Sequence, residues 1–129
     1  MAYMNSSLNP SPTIVGKAGA ALTNAQMLAV ACDADGNFVL PAAGALTMGI
    51  TLSELNDNVA VGQDVTVVVK DITLWKAGAA VKRGQELTAD ATGRAKPAAE
   101  GDYVLAVALD TSGADDYTLV QIVKSGYKA

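Results

Sequence analysis

The side chains that most often carry protein chemistry are scarce in this chain. Its 129 residues include no histidine, the commonest general base and a frequent metal ligand. A single cysteine, Cys32, excludes an intrachain disulfide framework and any cysteine-cluster metal site. Without a histidine to activate it, Cys32 is expected to be a buried structural thiol. Two carboxylate pairs remain, Asp33 with Asp35 and Asp115 with Asp116. Such pairs can do acid/base work or hold calcium. The stretch 33–36 (DADG), however, lacks the further oxygen ligands and terminal Glu of a calcium loop. Turn chemistry beside glycine accounts for both pairs. No Gly-rich phosphate loop followed by Lys-Ser/Thr is present. These residues argue against an enzyme, and neither a cofactor nor a metal is expected.

Charge narrows the partners. Nine Lys and Arg stand against thirteen Asp and Glu, for a net charge of −4. The cations are scattered, with Lys82-Arg83 the only adjacent pair, so the basic stripe that neutralises a phosphate backbone is missing. No direct nucleic-acid contact is expected. Residues 1–16 carry no charged side chain and no long apolar run, unlike a signal peptide or membrane anchor. Intracellular synthesis and no membrane association are the resulting expectations.

The elements that must position these residues are written twice. Residues 17–22 (KAGAAL) reappear as 76–81 (KAGAAV), an offset of 59. In the same register Gln26 and Leu28 match Gln85 and Leu87. Further on, 33–36 (DADG) matches 90–93 (DATG), 44–52 (GALTMGITL) matches 101–109 (GDYVLAVAL), and 65–70 (VTVVVK) matches 119–124 (LVQIVK). Ala- and Gly-rich composition can mimic one block, but not five in one order. We read a tandem duplication with halves at about 17–70 and 76–124.

Each half has the same grammar: a Gly-Ala-Ala opening, a polar turn, a short apolar stretch and a second turn. That second turn is Asp35-Gly36-Asn37 or Thr92-Gly93-Arg94, a hairpin signal in an apolar setting. Asn24-Ala25 stands where the second half has a glycine turn at Gly84. Residues 65–69 and 119–123 are rich in β-branched side chains, which favour extended backbone, and 104–109 reads as a strand buried on both faces. Residues 24–32 and 53–56 could each form a helical turn without changing the class. The reading is all-β: a compact sandwich or barrel-like domain of two similar halves with an extended N-terminal arm. Half hydrophobic by composition, the chain has 24 alanines, so the core is thin. Halves this short are marginal alone. A single domain over 15–125 with a shared core is expected, followed by a C-terminal tail, 126–129.

Residues 1–14 are dominated by Asn, Ser and Pro, and Pro10 and Pro12 favour extended backbone. The arm is either a disordered terminus or a segment that orders on a neighbouring subunit. In the second reading Leu8, Pro10, Pro12 and Ile14 make the contacts, with Tyr3 and Met4 as further apolar side chains. Trp75 has Gly16 as its counterpart in the first half. It is either a lid over the core or a contact anchor.

Two resemblances follow from these residues. Residues 78–87 (GAAVKRGQEL) resemble the turn-and-strand signature of biotinyl and lipoyl carrier domains. Such domains present a modifiable lysine at a hairpin tip. Here Lys82 lies in the wrong turn, and Lys70 and Lys124 end strands, so a carrier or ligand-binding β-barrel is the alternative reading. The whole duplicated pattern over 15–125 resembles the capsid cement, or head decoration, proteins of tailed phages. That resemblance implies a structural virion protein without catalytic residues. It implies attachment to the outer surface of an HK97-type shell of major capsid protein, as a homo-oligomer, commonly a trimer.

Overall fold

The computed structural model describes residues 10–52 and 58–129. Among them every regular element is a strand. The first half contains β1 (Thr13–Lys17), β2 (Leu22–Thr23), β3 (Ala29–Cys32), β4 (Phe38–Val39), β5 (Gly49–Thr51), β6 (Asn58–Val59) and β7 (Asp64–Val68). The second contains β8 (Asp71–Lys76), β9 (Glu86–Ala89), β10 (Ala95–Pro97), β11 (Tyr103–Ala108) and β12 (Tyr117–Tyr127). The sheets curl in half-barrel fashion, as the all-β reading expects.

Pairing establishes the duplication independently of residue identity. The first sheet runs β1-β7-β5-β3-β4, and the second, read from its opposite edge, runs β8-β12-β11-β9-β10. Substituting each strand by its repeat partner converts one order into the other. The minor pair β2-β6 has its counterpart in a bridge between Val81 and Ser112. Parallel bridges join Ala18 to Phe38 and Ala77 to Ala95 at matching points.

Local chemistry explains where the strands begin. Four turns, 60–63, 82–85, 99–102 and 113–116, close an N–H to C=O bond from fourth to first residue, at 3.0–3.3 Å. In each, the fourth side chain accepts from the first residue's N–H: Gln63 at 2.7 Å, Gln85 at 2.8 Å, Asp102 at 2.9 Å and Asp116 at 3.1 Å. The third position carries φ between 69° and 90°, held by glycine three times and by Asp115 once. That is a type II turn with a side-chain lock. β7, β9, β11 and β12 each begin at the next residue.

The hairpins β3-β4 and β9-β10 turn on a second device. Asp33 Oδ1 accepts from the N–H groups of Asp35 and Asn37, both at 2.9 Å. Asp90 Oδ1 does the same for Thr92 at 2.9 Å and Arg94 at 3.0 Å. The helical alternative at 24–32 is corrected. Asn24 and Met27 have φ of 52° and 57°, outside right-handed helix geometry, and β3 begins at Ala29. Asn tolerates this left-handed backbone better than most residues, and the first half turns here without a glycine. The alternative at 53–56 lies outside the described residues.

Two apolar clusters fill the interior. One belongs to the first half and includes Phe38, Val65 and Val67. The other is centred on Trp75, Leu87, Leu105 and Val120, and takes in Ala29, Ile50 and Val68 from the first half. Backbone bonds cross between halves: Lys76 N–H to Met27 O at 3.0 Å, Ala29 N–H to Gly93 O at 2.7 Å, Gly44 N–H to Ala89 O at 2.9 Å, and Tyr103 N–H to Gly44 O at 3.0 Å. Two boundaries shift from the sequence reading. Thr13 and Ile14, assigned to the arm, pair with Val68 and Val67 in β1, and Tyr127, assigned to the tail, pairs with Tyr103 in β12.

Candidate functional site

The expected contact residues fall into different environments. Leu8, Tyr3 and Met4 lie outside the described residues. Pro10 and Pro12 are exposed. The Pro12 carbonyl accepts the Val69 N–H at 2.8 Å, which anchors the chain against the first sheet just before β1. Ile14 is half-buried against the first-half cluster.

Trp75 corrects the contact assignment. It is 0% exposed, and its indole Nε1–H donates to the Gly93 carbonyl at 2.8 Å. A side chain without accessible surface cannot anchor a partner, so Trp75 is a core residue capping the turn of β9-β10. Cys32 departs in the opposite direction: it is exposed at the end of β3. The buried positions of that strand are Ala29 and Val30, and the ladder has reached the hairpin mouth at Cys32.

An apolar strip lies where no contact was expected. β8 is an edge strand, and alternation turns Ile72 (57% exposed) and Leu74 (38%) outward while Trp75 points inward. Leu74 faces Leu119 and Ile72 faces Gln121 on β12. The signal was present in 71–76 (DITLWK), where apolar residues occupy both faces of the alternation. On the equivalent edge, β1, Val15 is also exposed.

Three of the four paired carboxylates are engaged in architecture. Asp33 organises its hairpin, and Asp116 Oδ2 locks the turn before β12. Asp115 accepts Arg94 Nη1 at 2.8 Å. Among the described residues no group of three or more potential ligands could hold a metal ion. Burial and the neighbouring Tyr127 ring push the Tyr103 phenol above its usual range. Burial alone pulls the Lys124 ammonium down. No lysine occupies a carrier position: Lys82 opens the turn before β9, Lys70 lies on the connection between sheets, and Lys124 sits within β12. No helix of the described residues is long and apolar enough to cross a membrane.

A cleft of about 410 Å³ opens where the halves meet. The first half lines it with Thr23, Asn24, Gln26, Leu28 and Leu40, and the second with Lys76, Thr92, Arg94 and Tyr117. A shallower depression of about 500 Å³ beside Cys32 is bordered by Leu46, Met48 and Tyr127.

These features define a duplicated all-β protein whose titratable groups are committed mainly to turns and surface pairs. Its fold is similar to that of the N base of head fibre gp8.5 in bacteriophage phi29, with a TM-score of 0.66 at 18% identity. The likeness covers 91% of this chain and 98% of that one. No family model matches the chain, and no curated protein matches it.

Proposed function

We propose that this chain is a non-enzymatic structural protein of a tailed-phage virion. It attaches to the outer surface of an HK97-type shell of major capsid protein and stabilises that shell across subunit boundaries. The observation that carries the reading is the shared fold: nearly the whole chain superposes on the base segment of a phage head fibre. The duplicated pattern that resembles cement proteins supports the same class. Binding the assembled lattice in preference to free subunits adds to capsid stability by mass action, and repetition over the lattice multiplies modest contacts. Such work needs a rigid β platform and a surface, which the turn-locked sheets supply. The homotrimer belongs to this proposal.

Two measurements test it. Light scattering of the purified chain is expected to give three times the 13.1 kDa chain mass, and a monomer at all concentrations would remove the preformed trimer. Cosedimentation with mature shells of the encoding phage tests attachment. The protein is expected to pellet with shells and raise their melting temperature; failure to pellet would overturn the shell reading.

A further inference from the structure

The duplication makes the junction cleft readable by difference. In the first half the last residue of β1, Lys17, lies opposite the first residue of β7, Asp64, and the two form an ion pair at 2.6 Å. In the second half the same ladder position sets Lys76 opposite Tyr117. The carboxylate is gone, and the Lys76 ammonium lies 5.8 Å from the Tyr117 ring centroid. No ion pair of Lys76 occurs among the described residues. The neighbouring hairpin changes in the same sense: Asp35 and Asn37 of the first half correspond to Thr92 and Arg94 of the second. Four equivalent positions thus go from one lysine against two aspartates to a lysine and an arginine, with Asp115, from outside the set, pairing only the arginine. This happens in a chain whose net charge is −4.

All four second-half positions line the cleft, and among the described residues no acidic one lines it with them. Arg94 is held by one hydrogen bond from Nη1 to Asp115 Oδ1, which orients the guanidinium and uses one of its five donors. The opposite wall carries the amides of Asn24 and Gln26 and the hydroxyl of Thr23. Tyr117 is 50% exposed, so its ring offers an apolar surface at the rim. A cleft of this size, lined mostly by polar side chains, with one aromatic surface and a lysine that forms no ion pair among the described residues, suits a small polar ring bearing an anion.

We infer that the cleft between the two halves binds an acidic sugar unit, a saccharide residue carrying a carboxylate or phosphate. Tyr117 packs against the sugar ring, Lys76 and Arg94 meet the anion, and Asn24 hydrogen-bonds a ring hydroxyl. The inference is independent of attachment to a shell, because it uses a surface formed within one chain.

Titration of the full-length protein with glucuronate, glucose 6-phosphate, glucose and inorganic phosphate, followed by amide NMR shifts, tests it. At least one acidic sugar is expected to shift the amides of Thr23, Asn24, Gln26, Thr92, Arg94 and Tyr117 with a millimolar Kd. Glucose and inorganic phosphate are each expected to bind at least about tenfold more weakly than that sugar. Tyr117→Asp, which rebuilds the ion pair of the first half, and Lys76→Gln are each expected to weaken binding about tenfold or more. The dispersion of their spectra verifies that both variants fold. No shift up to about 20 mM of either acidic sugar would overturn the inference. So would equal binding of glucose or inorganic phosphate, shifts confined to another surface, or unchanged affinity in both folded variants.

Discussion

At the scale of single residues, the two halves solve one packing problem in opposite ways. Gly16 and Trp75 are equivalent, as are Phe38 and Ala95. A Cβ on Gly16 would stand 2.6 Å from the Phe38 ring, so the large side chain at this point of the first half comes from β4, and β1 contributes only the Gly16 backbone there. In the second half Trp75 on β8 is the large side chain and Ala95 on β10 the small one, both fully buried. Trp75→Ala empties the centre of the larger cluster and strips the Gly93 carbonyl of its indole donor. It is expected to cost about 3–5 kcal/mol in urea unfolding. Gly93 has φ of +81°, and a Cβ there would meet the Ala29 carbonyl oxygen at 2.7 Å. Gly93→Ala therefore forces both left-handed backbone and a steric shift at the junction, for an expected loss of at least about 1–2 kcal/mol. Gly36, its counterpart, has φ of +80° but open space around it. Gly36→Ala is expected to be the milder variant in the same assay.

At the scale of elements, the edge strands divide structure from possible attachment. β1 is held to β7 by five register pairs beginning at Thr13, and the Pro12 carbonyl adds a bond to Val69. Removing residues 1–9 is expected to leave the melting temperature within about 2 °C, because it touches none of these bonds. Removing residues 1–14 takes two ladder pairs and the Pro12 bond, and is expected to lower stability by about 1–3 kcal/mol. If shell attachment is lost in the shorter deletion while the melting temperature holds, the arm acts in binding. Unchanged cosedimentation of that deletion would assign attachment to the folded body.

At the scale of the molecule, the halves are coupled by backbone bonds and by a cluster that draws on both. Ala29, Ile50 and Val68 pack among second-half residues, and Gly44 donates to Ala89 while accepting from Tyr103. Opening one half exposes apolar surface and unpaired backbone groups of the other. Calorimetric unfolding is expected to show one transition, with the calorimetric and van't Hoff enthalpies equal within error. Two resolved transitions would mean that the junction is weaker than its bonds imply.

The amino-acid order by itself determined the all-β class, the repeat and the positions of the turns. These depend on short-range chemistry: glycine or Asp at left-handed positions, Asp side chains capping nearby amides, and β-branched runs between them. Only the tertiary structure decided which faces are covered. Alternation shows that Ile72 and Leu74 share one face and Trp75 the other, but both faces are apolar, so the pattern alone cannot say which packs inward. The same limit left Trp75 open between core lid and contact, and Cys32, expected to be buried, is exposed. The junction cleft was beyond the pattern for a related reason. Its walls are residues 36 to 94 positions apart, and Tyr117 faces Lys76 only because β12 closes on β8 across the second sheet.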